Sequence, residues 1–184
     1  MKKVVISVLG QDRPGIIARV SSALFQKECN IENVSQTILQ AEFSGIFIVA
    51  VPPEVSIPEL QAFLRKETAS LNLHFYIKSL ETTFHELVGG PSQPFVICTQ
   101  GPDRKGLVAA ITGVMAEFRV NVTHLQAVFE GGDDPNKNIM IYEVEIPLNT
   151  NKAELDAELR KIAASLGLQI SLQHRNIFEA INRI

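Results

Sequence analysis

The chain has 184 residues, enough for one large domain or two small ones with buried cores. Apolar residues make up 46% and charged residues 20%, a globular balance rather than a disordered one. The net charge of −3, with no basic run, argues against a nucleic-acid backbone as the direct partner, because phosphate contacts need clustered Lys and Arg.

Met1-Lys2-Lys3 followed by Val4 to Leu9 imitates a signal peptide. The apolar run is too short and ends in Gln11-Asp12-Arg13-Pro14, so it reads as a strand. An amphipathic helix is expected from about Pro14 to Glu28, with Ile17, Val20, Leu24 and Phe25 on one side. Ile31–Gln40 and Ile46–Val51 read as strands joined through Glu42-Phe43-Ser44-Gly45, a hairpin turn with Gly near its end. A second helix is expected from about Ile57 to Leu71: Ser56 can cap it, Pro58 suits its first turn, and Ile57, Leu60 and Leu64 form its stripe. Leu73–Leu80 closes the unit as a strand. No apolar stretch approaches the roughly 20 residues needed to span a bilayer. Cys29 and Cys98 lack metal-ligand spacing and are expected to be reduced thiols in a cytosolic protein.

The pattern then repeats. At an offset of 91, Gly10, Asp12, Arg13, Gly15, Ala18 and Asn30 fall on Gly101, Asp103, Arg104, Gly106, Ala109 and Asn121. After a slip of four residues, Glu59–Lys66 meets Glu154–Lys161 and Ala69-Ser70-Leu71 meets Ala164-Ser165-Leu166. The slip falls in Gly131–Asn136, a turn-rich extension confined to the second copy. Each copy therefore reads β-α-β-β-α-β, an α+β ferredoxin-like unit: a four-stranded antiparallel sheet with both helices on one face. The expected divisions are a first domain over 1–84, a linker over 85–94 with Gly89-Gly90-Pro91-Ser92, a second domain over 95–174 beginning with the strand Phe95–Thr99, and a tail over 175–184. Ile177, Phe178, Ile181 and Ile184 share a helical face, so the tail should be a short amphipathic helix, docked on its own protein or, as the alternative, recognising a partner.

Asp12-Arg13-Pro14-Gly15 suits a plain helix start, with Asp as N-cap and Pro in the first turn. That does not explain why Gly10 and Gly15 return as Gly101 and Gly106. Glycine in a first turn costs about 1 kcal/mol against alanine, so its return implies a ligand or neighbouring chain close to the backbone. The N–H groups of a helix start hold a carboxylate, and Asp12 or Asp103 beside them suits an ammonium group, which together describe an amino-acid zwitterion. Asn30 and Asn121 either add an amide to that site or form a left-handed turn before the next strand. Arg13 and Arg104 are read as surface ion-pair partners, with a carboxylate clamp as the alternative.

Gly10-x-Asp12-Arg13-Pro14-Gly15-Ile16-Ile17, with Asn30-Ile31 downstream, resembles the ACT domain, a regulatory amino-acid-binding module. Gly101-x-Asp103-Arg104-Lys105-Gly106-Leu107-Val108 with Asn121-Val122 resembles it as well. Two such domains with no enzyme attached resemble the glycine cleavage system transcriptional repressor family. The resemblance implies side-by-side pairing into continuous sheets, hence a homodimer. It also implies effector binding where paired domains meet, ligand contacts from the positions of Asp12 and Asn30, and a protein partner rather than DNA. Lys105 departs from the pattern where Pro14 stands, as does Gln100 where Leu9 stands, so the second loop is expected to bind a different ligand or none.

Signals of catalysis are not found in the sequence. His74, His85, His124 and His174 are scattered, Asp133 and Asp134 lack the alternating ligands of a calcium loop, and Asp12 replaces the second glycine of a dinucleotide fingerprint. The RNA-recognition fold shares this strand order, but its stacking aromatics are missing and Ile46-Phe47-Ile48-Val49 reads as a core run. The sequence therefore predicts a cytoplasmic regulator without cofactor or metal that binds a small amino acid and signals to a protein. A purely structural pairing module and a detached regulatory subunit of a biosynthetic enzyme are the rival readings.

Overall fold

The computed structural model describes residues 1–80, 90–129 and 138–182, which fall into two compact units, Met1–Thr83 and Phe84–Ile184. The first contains β1 (Lys2–Gln11), α1 (Ile16–Gln26), β2 (Asn30–Leu39), β3 (Glu42–Val51), α2 (Ile57–Glu67), a 3-10 turn (Ala69–Leu71) and β4 (His74–Ser79). The second contains β5 (Ser92–Gly101), α3 (Leu107–Glu117), β6 (Asn121–Phe129), β7 (Asn138–Pro147), α4 (Lys152–Leu166) and β8 (Gln169–His174), followed by α5 (Arg175–Asn182). Strand order is β2-β3-β1-β4 in one sheet and β6-β7-β5-β8 in the other, with antiparallel neighbours throughout. This is the expected pair of ferredoxin-like units.

Alternation builds each core. Val4, Ile6 and Val8 of β1 and Phe43, Phe47 and Val49 of β3 point to the helix side and are nearly inaccessible. Leu60 and Leu64 of α2 meet them as the sequence stripe predicts, and each such side chain contributes about 1.5–3 kcal/mol on burial. In the second unit Ile97, Ile111, Met115, Tyr142, Val144, Leu155 and Leu159 take these places.

Several local expectations are corrected. The buried face of α1 is Ile16, Val20, Ala23 and Leu24, while Phe25 is 80% exposed and Ile17 lies at the surface. An i, i+4, i+7, i+8 stripe one residue earlier is what meets the sheet. The hairpin turns at Gln40-Ala41, where Gln40 takes a left-handed φ of 55°, so Phe43 and Gly45 belong to β3. Gly45 is there for space: a Cβ would stand 2.9 Å from the Phe43 ring and 3.2 Å from that of Phe47. Ile46 faces the opposite side of the sheet and is half exposed, so Ile46–Val49 is not a core run. β5 starts at Ser92, three residues before the expected strand, and carries Pro94 where β8 does not yet pair with it.

The tail forms a helix, α5, that packs on β5 and β8 of its own unit. Its Arg175 meets Glu143 on the sheet face away from the other helices, at 3.3 Å. Val96, on that same face, is 2% exposed. The side chain of Ile181, all of Ile184, the Gly131–Asn136 extension with Asp133 and Asp134, and the connector as far as Gly89, with His85, lie outside the described residues.

Candidate functional site

Both loops leave their central strand at a glycine and enter a helix at another. The two glycines do different work. A Cβ on Gly10 would lie 2.8 Å from Leu73 Cδ2, and one on Gly101 would lie 2.8 Å from Leu168 Cδ2 and 2.9 Å from the Gly167 carbonyl oxygen. At Gly10 and Gly101 the chain itself is a close neighbour that requires glycine. Gly15 and Gly106 have open space around a Cβ but hold φ values of 95° and 89°, the left-handed region that only glycine enters without strain.

These glycines, not Asp12 and Asp103, occupy the N-cap positions, and no side chain caps α1 or α3. The helices begin at Ile16 and Leu107, so Pro14 lies ahead of α1 and not in its first turn. The other helix of each unit is closed differently. Ser56 Oγ accepts from Glu59 N at 3.2 Å at the start of α2, and Asn151 Oδ1 accepts from Glu154 N at 3.3 Å at the start of α4, each with a glutamate in the first turn. The starts of α1 and α3 have neither cap nor acidic first turn, leaving their N–H groups to whatever anion approaches.

In the first loop Gln11, Asp12, Arg13, Pro14 and Gly15 are exposed, and the Asp12 N–H donates to the Ala41 carbonyl at 2.8 Å, tying the loop to the β2–β3 turn. Arg13 donates to Gln11 Oε1 at 2.9 Å, a hydrogen bond to an uncharged amide in place of the expected ion pair. Among the described residues, Arg104 makes no ion pair either.

Asn30 and Asn121 are exposed first residues of β2 and β6, and the left-handed turn ahead of them is made by Glu28 (φ 54°) and Arg119 (φ 57°). Strand register separates them from the loops. Gly10 stands opposite Phe43 and Asn30 opposite Ala50, seven residues further along β3 and so about 23 Å away at strand rise. Gly101 and Asn121 are related in the same way through Asn138 and Glu145 of β7. A site that joins Asp12 to Asn30 must draw them from two domains.

The second loop has a polar neighbour that the sequence reading missed. Asn138, 5% exposed, donates from Nδ2 to Asp103 Oδ1 at 3.3 Å, and its Oδ1 has no partner. Thr99, 1% exposed, points its hydroxyl to the same sheet face and also lacks a partner. A buried polar atom left unpaired costs about 1–3 kcal/mol. By contrast the buried Thr68 hydroxyl in the first unit donates to the Leu64 carbonyl at 2.7 Å. Position-by-position comparison of the copies would have flagged both residues, since Val8 and Phe43 hold their places in the first core.

Burial pushes the Cys29 and Cys98 thiols up from their ordinary range, which disfavours the thiolate needed for nucleophilic or metal chemistry. Among the described residues no group of His, Cys, Asp or Glu side chains is arranged to hold a metal, and no helix is long and apolar enough to cross a membrane.

Known proteins place this geometry in a family. The ACT domain model matches residues 2–78 and 93–173. A UPF0237 protein of Methanopyrus kandleri is 35% identical over 79 residues, 42% of this chain and 88% of that protein. Another UPF0237 protein, from Pyrobaculum aerophilum, is 40% identical over 74 residues, 40% of this chain and 82% of its own length. Two crystal structures share the whole fold at low identity. A Galdieria sulphuraria protein of unknown function superposes with a TM-score of 0.78 at 22% identity, covering 94% of this chain and 98% of its own. A proposed glycine cleavage system transcriptional repressor gives 0.70 at 21%, covering 94% and 96%. The chain belongs to the ACT domain family and carries the domain twice.

Proposed function

We propose that this chain is a non-catalytic regulator that binds a small amino acid at the loops opening α1 and α3 and signals occupancy to a protein partner. The contrast between helix starts carries the reading: α2 and α4 are capped by their own side chains, whereas α1 and α3 open at left-handed glycines with free N–H groups. A carboxylate fits those amides, and the ammonium group of the same ligand fits Asp12 or Asp103. Because Asn30 stands about 23 Å from the loop of its own domain, its amide reaches a ligand only from a second domain laid alongside. A ligand gripped by two domains stabilises their pairing by mass action, which gives binding a structural output. The acidic net charge favours a protein over nucleic acid as receiver, and the fold shared with the proposed repressor suggests transcriptional control of amino-acid metabolism.

Isothermal titration against the twenty amino acids is the test. Heat from at least one of them is expected, with Asp12→Ala and Asn30→Ala each weakening first-loop binding by about tenfold. No heat from any of them overturns the reading.

The β2 edge supports a second reading, a module built for pairing alone. Val34, Ile38 and Leu39 are 48%, 49% and 76% exposed on an edge strand with a free row of backbone groups. Light scattering separates the two: an oligomer of constant size that ignores every amino acid favours pairing alone.

A further inference from the structure

The two repeats fill equivalent core volume with different chemistry. In the first, Phe43 stands opposite Gly10, Gly45 opposite Val8, and Gly45 leaves room for the Phe43 and Phe47 rings. In the second, Asn138 stands opposite Gly101 and Met140 opposite Thr99. Ring plus glycine has become carboxamide plus thioether, so packing alone does not require the asparagine. Nor does packing require a hydroxyl at 99, where valine serves in the first copy. Both changes put acceptor atoms under one loop, and both atoms are buried without partners. Asn138 is tied to Asp103 in the loop that leads from Gly101 to the uncapped start of α3.

From this arrangement we infer that the second domain holds the ammonium group of its amino-acid ligand within itself, on Asn138 Oδ1, Thr99 Oγ1 and the Asp103 carboxylate. The inference rests on the amino-acid-binding reading above and adds which residues select the ligand. Thr99 and Asn138 are diagonal neighbours on paired strands, their Cβ atoms about 7 Å apart on one face of the sheet. An ammonium group has three donors for these three acceptors, and its positive charge matches Asp103. The carboxylate of the same ligand then lies toward the N–H groups that open α3. The first domain offers Val8 and Phe43 at these places and has no such floor. Its Asp12 must recruit an amide from elsewhere, whereas Asp103 has Asn138 adjoining it.

Calorimetry on the full chain with the twenty amino acids, and with the α-N-acetylated form of whichever binds, tests this. Thr99→Val and Asn138→Leu are each expected to weaken one set of sites by about tenfold or more, while Thr99→Ser stays near wild type and the acetylated ligand loses that set. Thr99→Val installs the first domain's own residue, nearly the same shape as threonine, so a preserved melting transition shows that lost binding is not lost folding. If an amino acid binds and Asp103→Ala abolishes one set of sites while Thr99→Val and Asn138→Leu leave it intact, this inference fails and the broader reading stands. Absence of binding to every amino acid overturns both.

Discussion

The floors of the two domains diverge where their frames agree. Val8, Phe43, Gly45 and Phe47 in the first core are replaced by Thr99, Asn138, Met140 and Tyr142 in the second, in identical register. Strand order, helix capping by Ser56 and Asn151, and the left-handed glycines are kept. The exchange of buried apolar for buried polar side chains, Val8 for Thr99 and Phe43 for Asn138, thus falls at the loop end of one sheet face. The duplicated fold keeps the devices that fix its backbone while the side chains beneath the loop change.

Phe43→Ala should show the difference most strongly, with a loss of about 3–5 kcal/mol in urea unfolding, since the ring is 2% exposed and packed over Gly45. Asn138→Ala removes a smaller side chain with one acceptor already unpaired, and should lose about 1 kcal/mol. Equal losses would mean that the two floors are not energetically distinct. The next effect appears in alkali. Burial pushes the Tyr142 phenol up to about 12 from its ordinary value of 10.0. Below pH 10 both folded and unfolded chains keep this proton. Between pH 10 and about 12 the unfolded chain loses it first, so stability falls as pH rises, by about 2–3 kcal/mol in all. Tyr142→Phe, which copies Phe47 of the first domain, should flatten that part of the stability-against-pH curve; an unchanged slope would assign the loss to other groups. The smallest effect separates the helix starts. Ser56→Ala and Asn151→Ala should each lower stability by about 1 kcal/mol, whereas Asp12→Ala, on an uncapped and exposed loop, should stay within about 0.5 kcal/mol. A larger loss at Asp12 would give it a structural role that the loop geometry does not show.

Much of the fold was legible because duplication prints it twice: the strands and both helices of each unit follow from periodicity and the recurring glycines, and the unrepeated tail helix from periodicity alone. Local conformation was harder. Gln40, Glu28 and Arg119 take left-handed backbone angles that their residue types do not advertise, so the turn was expected at Gly45 and the αL position at Asn30. In the candidate site, the Asp loops were visible from composition and spacing. That Asp12 and Asn30 lie at opposite ends of one sheet was not, because their separation is set by pairing register, a long-range property. Thr99 and Asn138 escaped notice for a related reason: each is unremarkable in its own strand and becomes informative only against Val8 and Phe43, across the four-residue slip.

The glycines that open α1 and α3 have a consequence in terms of handedness. With φ near +90° and nothing within 4 Å of a Cβ, Gly15 and Gly106 sit in a conformation natural to a D-residue. D-alanine at either place would satisfy the backbone, restrict the unfolded chain and stiffen the loop. A semisynthetic chain of that kind would show whether the mirror-image turn alone accounts for glycine at these positions.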